Sequence, residues 1–273
     1  MGKVIFSGCS FTAGDGWVDA TRKSDKNSPY LWVNLCHRRI QKLKDLELIN
    51  VGQSGASNAE IFQNTMRAMT AESNNVDTIF CQWTSMPRYN FNVGLELWST
   101  YENLFDERLH GVNLSNGNSW SREYIRDLTN RLLVMHHLHW EIVKVVDFSN
   151  IILNAATALG IKNVFFVNGF CPWDDNYFVE LHNVKPESYT PFTKKEIIDI
   201  DNRDDEDIYK LYSLIHQHYR DAGGINASNW VSLNQSFFKQ ITDTNYDGFH
   251  PGTQSNELYY QIIEQRLKEL NFI

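Results

Sequence analysis

Short apolar runs alternate along this chain with longer stretches of helical periodicity. Residues 3–7, 47–51, 77–83, 163–168 and 230–233 each read as a strand. The run at 163–168 is apolar throughout, as expected for a strand buried on both faces. The stretches between them predict helices over 29–43, where Leu31, Leu35 and Ile40 keep roughly helical spacing, over 59–71, over 131–159 and over 254–270. Asn58 is placed to cap the second helix, with Glu60 at the end its dipole favours and Glu72 at the end it does not. Gly160 sits where the third would terminate, and Pro87 lies where the strand at 77–83 must stop. Strands alternating with helices predict an α/β protein, a parallel sheet covered on both faces.

Two segments break the alternation. Residues 88–130 are polar, Asn-rich and aromatic with weak periodicity, and are expected to be an insertion carrying a few helical turns. Residues 169–228 form a second insertion, with an acidic stretch at 199–207 and a helix expected at 205–219. No repeat, low-complexity tract or Pro/Ser linker divides the 273 residues, so one elaborated domain, 1–273, is expected. The net charge of −8 argues against a nucleic-acid partner. No run approaches the roughly 18 apolar residues of a membrane span, and the chain enters Val4-Ile5-Phe6 without an apolar leader, so a cytoplasmic protein without membrane insertion is expected. Cys9, Cys36, Cys81 and Cys171 form no CxxC pair, which points to free thiols.

In open α/β sheets ligands bind beyond the carboxyl ends of the strands. Three loops there are rich in chemistry: Gly8-Cys9-Ser10-Phe11-Thr12-Ala13-Gly14, Gly52-Gln53-Ser54-Gly55, and Asp247-Gly248-Phe249-His250. A serine hydroxyl is a weak nucleophile and needs an adjacent base, which imidazole supplies near neutral pH. The imidazole in turn needs a carboxylate to hold its second nitrogen, and Asp247 lies three residues before His250. Backbone amides in Gly-rich loops suit a developing oxyanion because no Cβ blocks approach.

These three segments, in this order, resemble the nucleophile, second and last blocks of the SGNH (GDSL-like) hydrolases, with Cys9 where that family has Asp. The resemblance covers the first 90 residues and the last 40 or so. It implies a flavodoxin-like three-layer α/β/α fold with about five parallel strands. It also implies a serine ester hydrolase with no cofactor, working through an acyl-enzyme on a small-molecule or glycan ester. Ser10 would be the nucleophile, His250 the base, Asp247 its orienting carboxylate, and the Ser10 and Gly55 amides the oxyanion donors. The third block departs from the family. Gln82-Trp83-Thr84-Ser85-Met86-Pro87-Arg88 holds no Asn at the oxyanion position. Thr84 or Ser85 offers a hydroxyl in its place and Arg88 a charged donor, and spacing does not choose among them. Arg88 and Trp83 are further taken as substrate-binding.

Other features have plainer readings. Cys9 beside Ser10 is read as a small loop residue rather than a thiol nucleophile. His136, His137 and His139 lack a third ligand of matching pattern, and His216 and His218 point to different sides of a helix, so no metal site is expected. The acidic run at 199–207 places Arg203 and Asp204 where a calcium loop needs an oxygen ligand and a glycine, and reads as a solvated loop. Aromatic residues in and beside the insertions, Trp98, Trp120 and Trp173 among them, favour a carbohydrate O-acetylester as substrate. Two alternatives use the same framework: acyl transfer to a sugar, and a catalytically impaired binding or virion-associated protein. The second arises because the Gly-Cys-Ser-Phe-Thr opening with Trp-Thr-Ser also resembles SGNH-type products of bacteriophages.

Overall fold

The computed structural model describes residues 2–17, 24–72, 75–84, 90–93, 96–99, 138–169, 229–230, 240–246 and 250–273. In chain order the elements are β1 (Gly2–Ser7), α1 (Ser10–Ala13), α2 (Trp32–Gln41), β2 (Leu46–Asn50), α3 (Asn58–Ala71), β3 (Val76–Trp83), β4 (Asn90–Val93), β5 (Glu96–Ser99), α4 (Leu138–Ala158), β6 (Asn163–Asn168) and α5 (Thr253–Glu269). Strands β2, β1, β3 and β6 form a parallel sheet in that spatial order. Trp230 extends it, pairing in parallel with Phe166, and Asn229 O accepts from Phe166 N at 2.6 Å. The fold is the α/β architecture expected, with the flavodoxin-like strand order whose direction of winding reverses between β1 and β3.

Strand residues alternate between the two faces, and each face is sealed by aromatic packing. On one face Phe6, Phe80 and Phe165 are register partners across β1, β3 and β6; Phe6 stacks on Phe80 at 4.7 Å, and Phe80 lies against Phe165 at 5.1 Å. Trp32 of α2 meets Phe6 edge-on at 5.5 Å, and Tyr259 of α5 meets Trp32 at the same distance. On the other face Trp83 and Phe166 stack at 6.0 Å beneath Phe148 of α4, which stacks on Phe62 of α3 at 4.4 Å. Helices α2 and α5 thus cover one side and α3 and α4 the other.

Local chemistry shifts some expected boundaries. Ser57, not Asn58, caps α3: its hydroxyl accepts from Glu60 N, and the Glu60 carboxylate accepts from Ser57 N, a reciprocal capping box. The first loop, read in the sequence only as a loop, winds into the short helix α1 shortly after β1. Within the first insertion the described residues are strands rather than helical turns, since β4 and β5 pair antiparallel. The helix expected at 205–219, the acidic stretch at 199–207 and the start of the helix expected from 131 lie outside the described residues.

The Phe6–Phe80–Phe165 row is the centre of the core, so Phe80→Ala is expected to cost about 3–5 kcal/mol, read from the urea midpoint of unfolding.

Candidate active site

The carboxyl ends of β1 and β3 flank the reversal point of the sheet, and four loops converge there. The first is α1. Ser10 is its first residue and is buried, and as the first helical residue its amide has no acceptor within the helix. Cys9 O accepts from Thr12 N and Ala13 N, while Ser10 O accepts from Gly14 N and Asp15 N, so one compact turn carries Ser10 and Asp15 together.

The second loop is tied to this turn by hydrogen bonds. Gln53 N donates to Gly8 O at 3.0 Å, and the Asn50 amide donates to Thr12 O at 2.8 Å while its oxygen accepts from Gly52 N. The approach requires glycine at 52, where a Cβ would stand 2.8 Å from Ala13 N. Gly55 turns the chain at φ 70°, a left-handed conformation that L side chains rarely adopt.

The third loop contributes polar groups buried at the end of β3. Gln82 Oε1 accepts from Thr12 Oγ1 at 2.7 Å and faces Cys9 Sγ at 3.8 Å, tying β3 to α1. The Asn58 side chain accepts from Thr84 N at 2.8 Å and donates to Thr84 O at 3.2 Å, so the Thr84 backbone is held on both sides. Thr84 Oγ1 and Gln82 Nε2 are buried with no hydrogen-bond partner among the described residues. Buried polar atoms left in this state are costly unless something else fills the role.

The fourth loop brings His250 from the other end of the chain. Residues 243–245 pair with residues 250–252: Asn245 N donates to His250 O at 2.7 Å, Gly252 N to Asp243 O at 2.9 Å, and Thr244 bridges Pro251. Gly252 stands at the cap position of α5 and has no side chain to offer, and Asp243 supplies the missing acceptor. It takes Gln254 N at 3.0 Å, Ser255 N at 2.8 Å and Ser255 Oγ at 2.6 Å. Burial acts to raise the Asp243 pKa, but the Ser255 hydroxyl and the two amides outweigh it and hold the carboxyl below its ordinary range.

Thus anchored, the His250 imidazole is buried against α1. Its ring meets Phe11 edge-on with centroids 6.0 Å apart, and its Nε2 lies 3.9 Å from the buried carboxylate of Asp15. The loop is also tied to this turn by Asn245 Nδ2, which donates to Asp15 O at 3.4 Å. Folding therefore carries His250 onto the turn that bears Ser10, across 240 positions of sequence.

Of the residues singled out in the sequence, Ser10, Gly55, Thr84 and His250 occupy these converging loops. Asp247, Ser85 and Arg88 lie outside the described residues. Trp83 is not a substrate platform: fully buried and stacked on Phe166 and Phe148, it belongs to the core, because its position in β3 turns it under α4. Trp230 is likewise core, packed on Phe166 at 5.2 Å. Cys9, Cys36 and Cys81 are free and buried, and burial pushes the Cys81 thiol up to about 12, so it stays protonated and inert at neutral pH. Cys171, His136, His137, His216 and His218 lie outside the described residues, and for His139 only the helical backbone is described. Asp15, Gln82 and Asp243 were not singled out by sequence reasoning as site residues, and Asn58 was read there only as a helix cap. Only Asp15 carried a signal there, as an acidic residue between two glycines directly after the serine loop.

Among solved structures, the chain is similar to a lipase/acylhydrolase from Enterococcus faecalis at 12% identity, covering 98% of this chain and 96% of that one, with a TM-score of 0.40. It is similar to a lipase from a goat rumen metagenome at 11% identity, covering 100% and 98%, with a TM-score of 0.47. It is also similar to a carbohydrate acetylesterase family member from Sinorhizobium meliloti at 12% identity, covering the whole of both chains, with a TM-score of 0.43. Others are described as lipolytic proteins of the G-D-S-L family, the group that the three sequence blocks resemble. No family model and no curated protein sequence matches the chain. Likeness at this level does not bear on activity, so the functional reading rests on the chain's own residues.

Because the folded Asp243 carboxyl is held low, its contribution to stability is complete above the unfolded value of about 3.9 and is lost as pH falls through the folded value. Asp243→Asn is expected to flatten the acid limb of a stability-against-pH curve below about pH 4. At neutral pH, Asp243→Ala is expected to cost about 0.5–2 kcal/mol, the usual cost of a lost helix cap.

Proposed function

We propose that this chain is a serine ester hydrolase of the SGNH type. The observation that carries the reading is the burial of His250 against the α1 turn, on Phe11, the residue directly after Ser10, and on Asp15. In the reaction Ser10 Oγ attacks the ester carbonyl as its proton passes to His250. The alcohol leaves with that proton, and an acyl group stays on Ser10. Water, deprotonated by the same imidazole, then attacks the acyl-enzyme and releases the acid. The Ser10 and Gly55 amides donate to the oxyanion, and Asp247 orients the imidazole.

For the third oxyanion donor the reading selects Thr84. Its hydroxyl is buried at the reversal point without a partner among the described residues, and its backbone is clamped by Asn58, so the donor is preorganised. An O-acetylated carbohydrate suits the surroundings. Trp17, two residues past Asp15, stacks on exposed Tyr30 with ring centroids 6.2 Å apart, and Tyr246 is exposed on the loop that carries His250. Such rings can lie against sugar faces.

Ser10→Ala is expected to abolish hydrolysis of 4-nitrophenyl acetate and labelling by a fluorophosphonate; an unchanged rate would remove Ser10 from the mechanism. Thr84→Val, which deletes the hydroxyl and keeps the shape, is expected to lower kcat by about 10²–10³ with little change in KM, while Thr84→Ser retains activity.

A further inference from the structure

The carboxylate of Asp15 sits within the nucleophile turn itself, and neither the sequence blocks nor their expected roles account for it. Its side chain is almost wholly buried, and burying a charge is costly unless something nearby compensates. Its surroundings are specific. Ser24 Oγ donates to one carboxylate oxygen, and the Asp15 and Ser24 backbones pair as an isolated antiparallel bridge. The other oxygen faces His250 Nε2 at 3.9 Å. Lys26 is the second cation that feels this charge: burial lowers its pKa, and Asp15 opposes that shift. The Lys26 ammonium is spent elsewhere, on Asn50 O at 3.2 Å.

At 3.9 Å the Asp15–His250 pair lies beyond hydrogen-bond range, so the carboxylate acts on the ring as a charge rather than as an acceptor. Two features hold it in place. The Asp15 amide is fixed on Ser10 O, and its own carbonyl receives Asn245 Nδ2 from the His250 loop, so the carboxylate cannot drift from the ring without breaking both loops. When the ring carries the nucleophile's proton, the carboxylate attracts it across that distance in a site shielded from water.

We propose that Asp15 is a positioning residue for His250, a second acidic partner beside Asp247, which stabilises the imidazolium as that ring takes up the nucleophile's proton. The kinetic part of this role rests on the ester-hydrolase reading; the pairing of Asp15 with His250 does not.

The test compares wild type with Asp15→Asn, which removes the charge and keeps the Ser24 acceptor, Asp15→Ser, a second charge-free variant, and Asp15→Glu, which restores the charge. At one fixed neutral pH, the ring resonances of His250, assigned by their loss in His250→Gln, are expected to move in both charge-free variants and to return toward wild type in Asp15→Glu, with those of His37 unchanged. With 4-nitrophenyl acetate, kcat is expected to fall about ten- to a hundredfold in Asp15→Asn at unchanged KM and to recover in part in Asp15→Glu. His250 resonances identical in wild type and the charge-free variants would overturn the proposal, as would a change that Asp15→Glu leaves in place, which marks altered packing. Should Ser10→Ala hydrolyse the ester as fast as wild type, the hydrolase reading fails, while the resonances still decide the pairing.

Discussion

Thr12 and Gln82 share a hydrogen bond at the point where the sheet changes its direction of winding, and the geometry of the whole rim follows from it. At the carboxyl end of a parallel strand the backbone leaves its ladder, and every group there needs a new partner or water. The first and third loops find partners in each other, through Thr12 Oγ1 and Gln82 Oε1. The second loop joins through Asn50 and Gln53, which bond to the same α1 turn. Such a network is rigid because a buried polar group that loses its partner costs about 1–3 kcal/mol, and each member would lose one if another moved.

The aromatic core makes that network possible. Phe6, Phe80 and Phe165 fix the register of three strands on one face, and Trp83, Phe166 and Phe148 close the other. Strand ends fixed in this way bring Trp83 level with Asn168, with Ser7 level with Cys81 two residues earlier. Tyr259 of α5 then reaches the sheet, its hydroxyl donating to Asn168 O at 2.9 Å, while Asn256 accepts from Trp32 N at 3.0 Å. The last helix is thereby tied to α2 and to the end of β6, and the loop just before it brings His250 to the α1 turn. Asp243 completes the hold by serving as the acceptor that Gly252 lacks at the start of α5.

Buried polar atoms at the end of β3 have no partner among the described residues. Gln82 Nε2 and Thr84 Oγ1 stand where a sheet of this winding receives its ligands, and in the proposed reaction the Thr84 hydroxyl would meet the oxyanion there. Asp15 is a further departure from ordinary burial, a charge placed beside the ring rather than in solvent. Polar groups held out of water in these ways are costly to bury, and the packed sheet beneath offsets that cost.

By itself the sequence determined the class of fold, the main strands and the helices that cover the sheet, because apolar periodicity is a local property and the buried strands are apolar runs. It also marked Ser10, Gly55 and His250, since their loops carry glycines and reactive side chains directly after strands or before the last helix. Helix α1 and the cap at Ser57 escaped it, because Ser, Thr and Asn serve turns, caps and first helical turns alike. Only the tertiary structure decided that Trp83 is core, that Asn58 clamps Thr84, that Asp243 caps α5, and that Asp15 faces His250. These depend on partners 11 or 12 positions apart for Asp243, 26 apart for Asn58 and 235 apart for Asp15, or, for Trp83, on which face of a strand meets a helix. Such pairings depend on how the strands are ordered and how the last helix docks, and composition and periodicity carry no record of that.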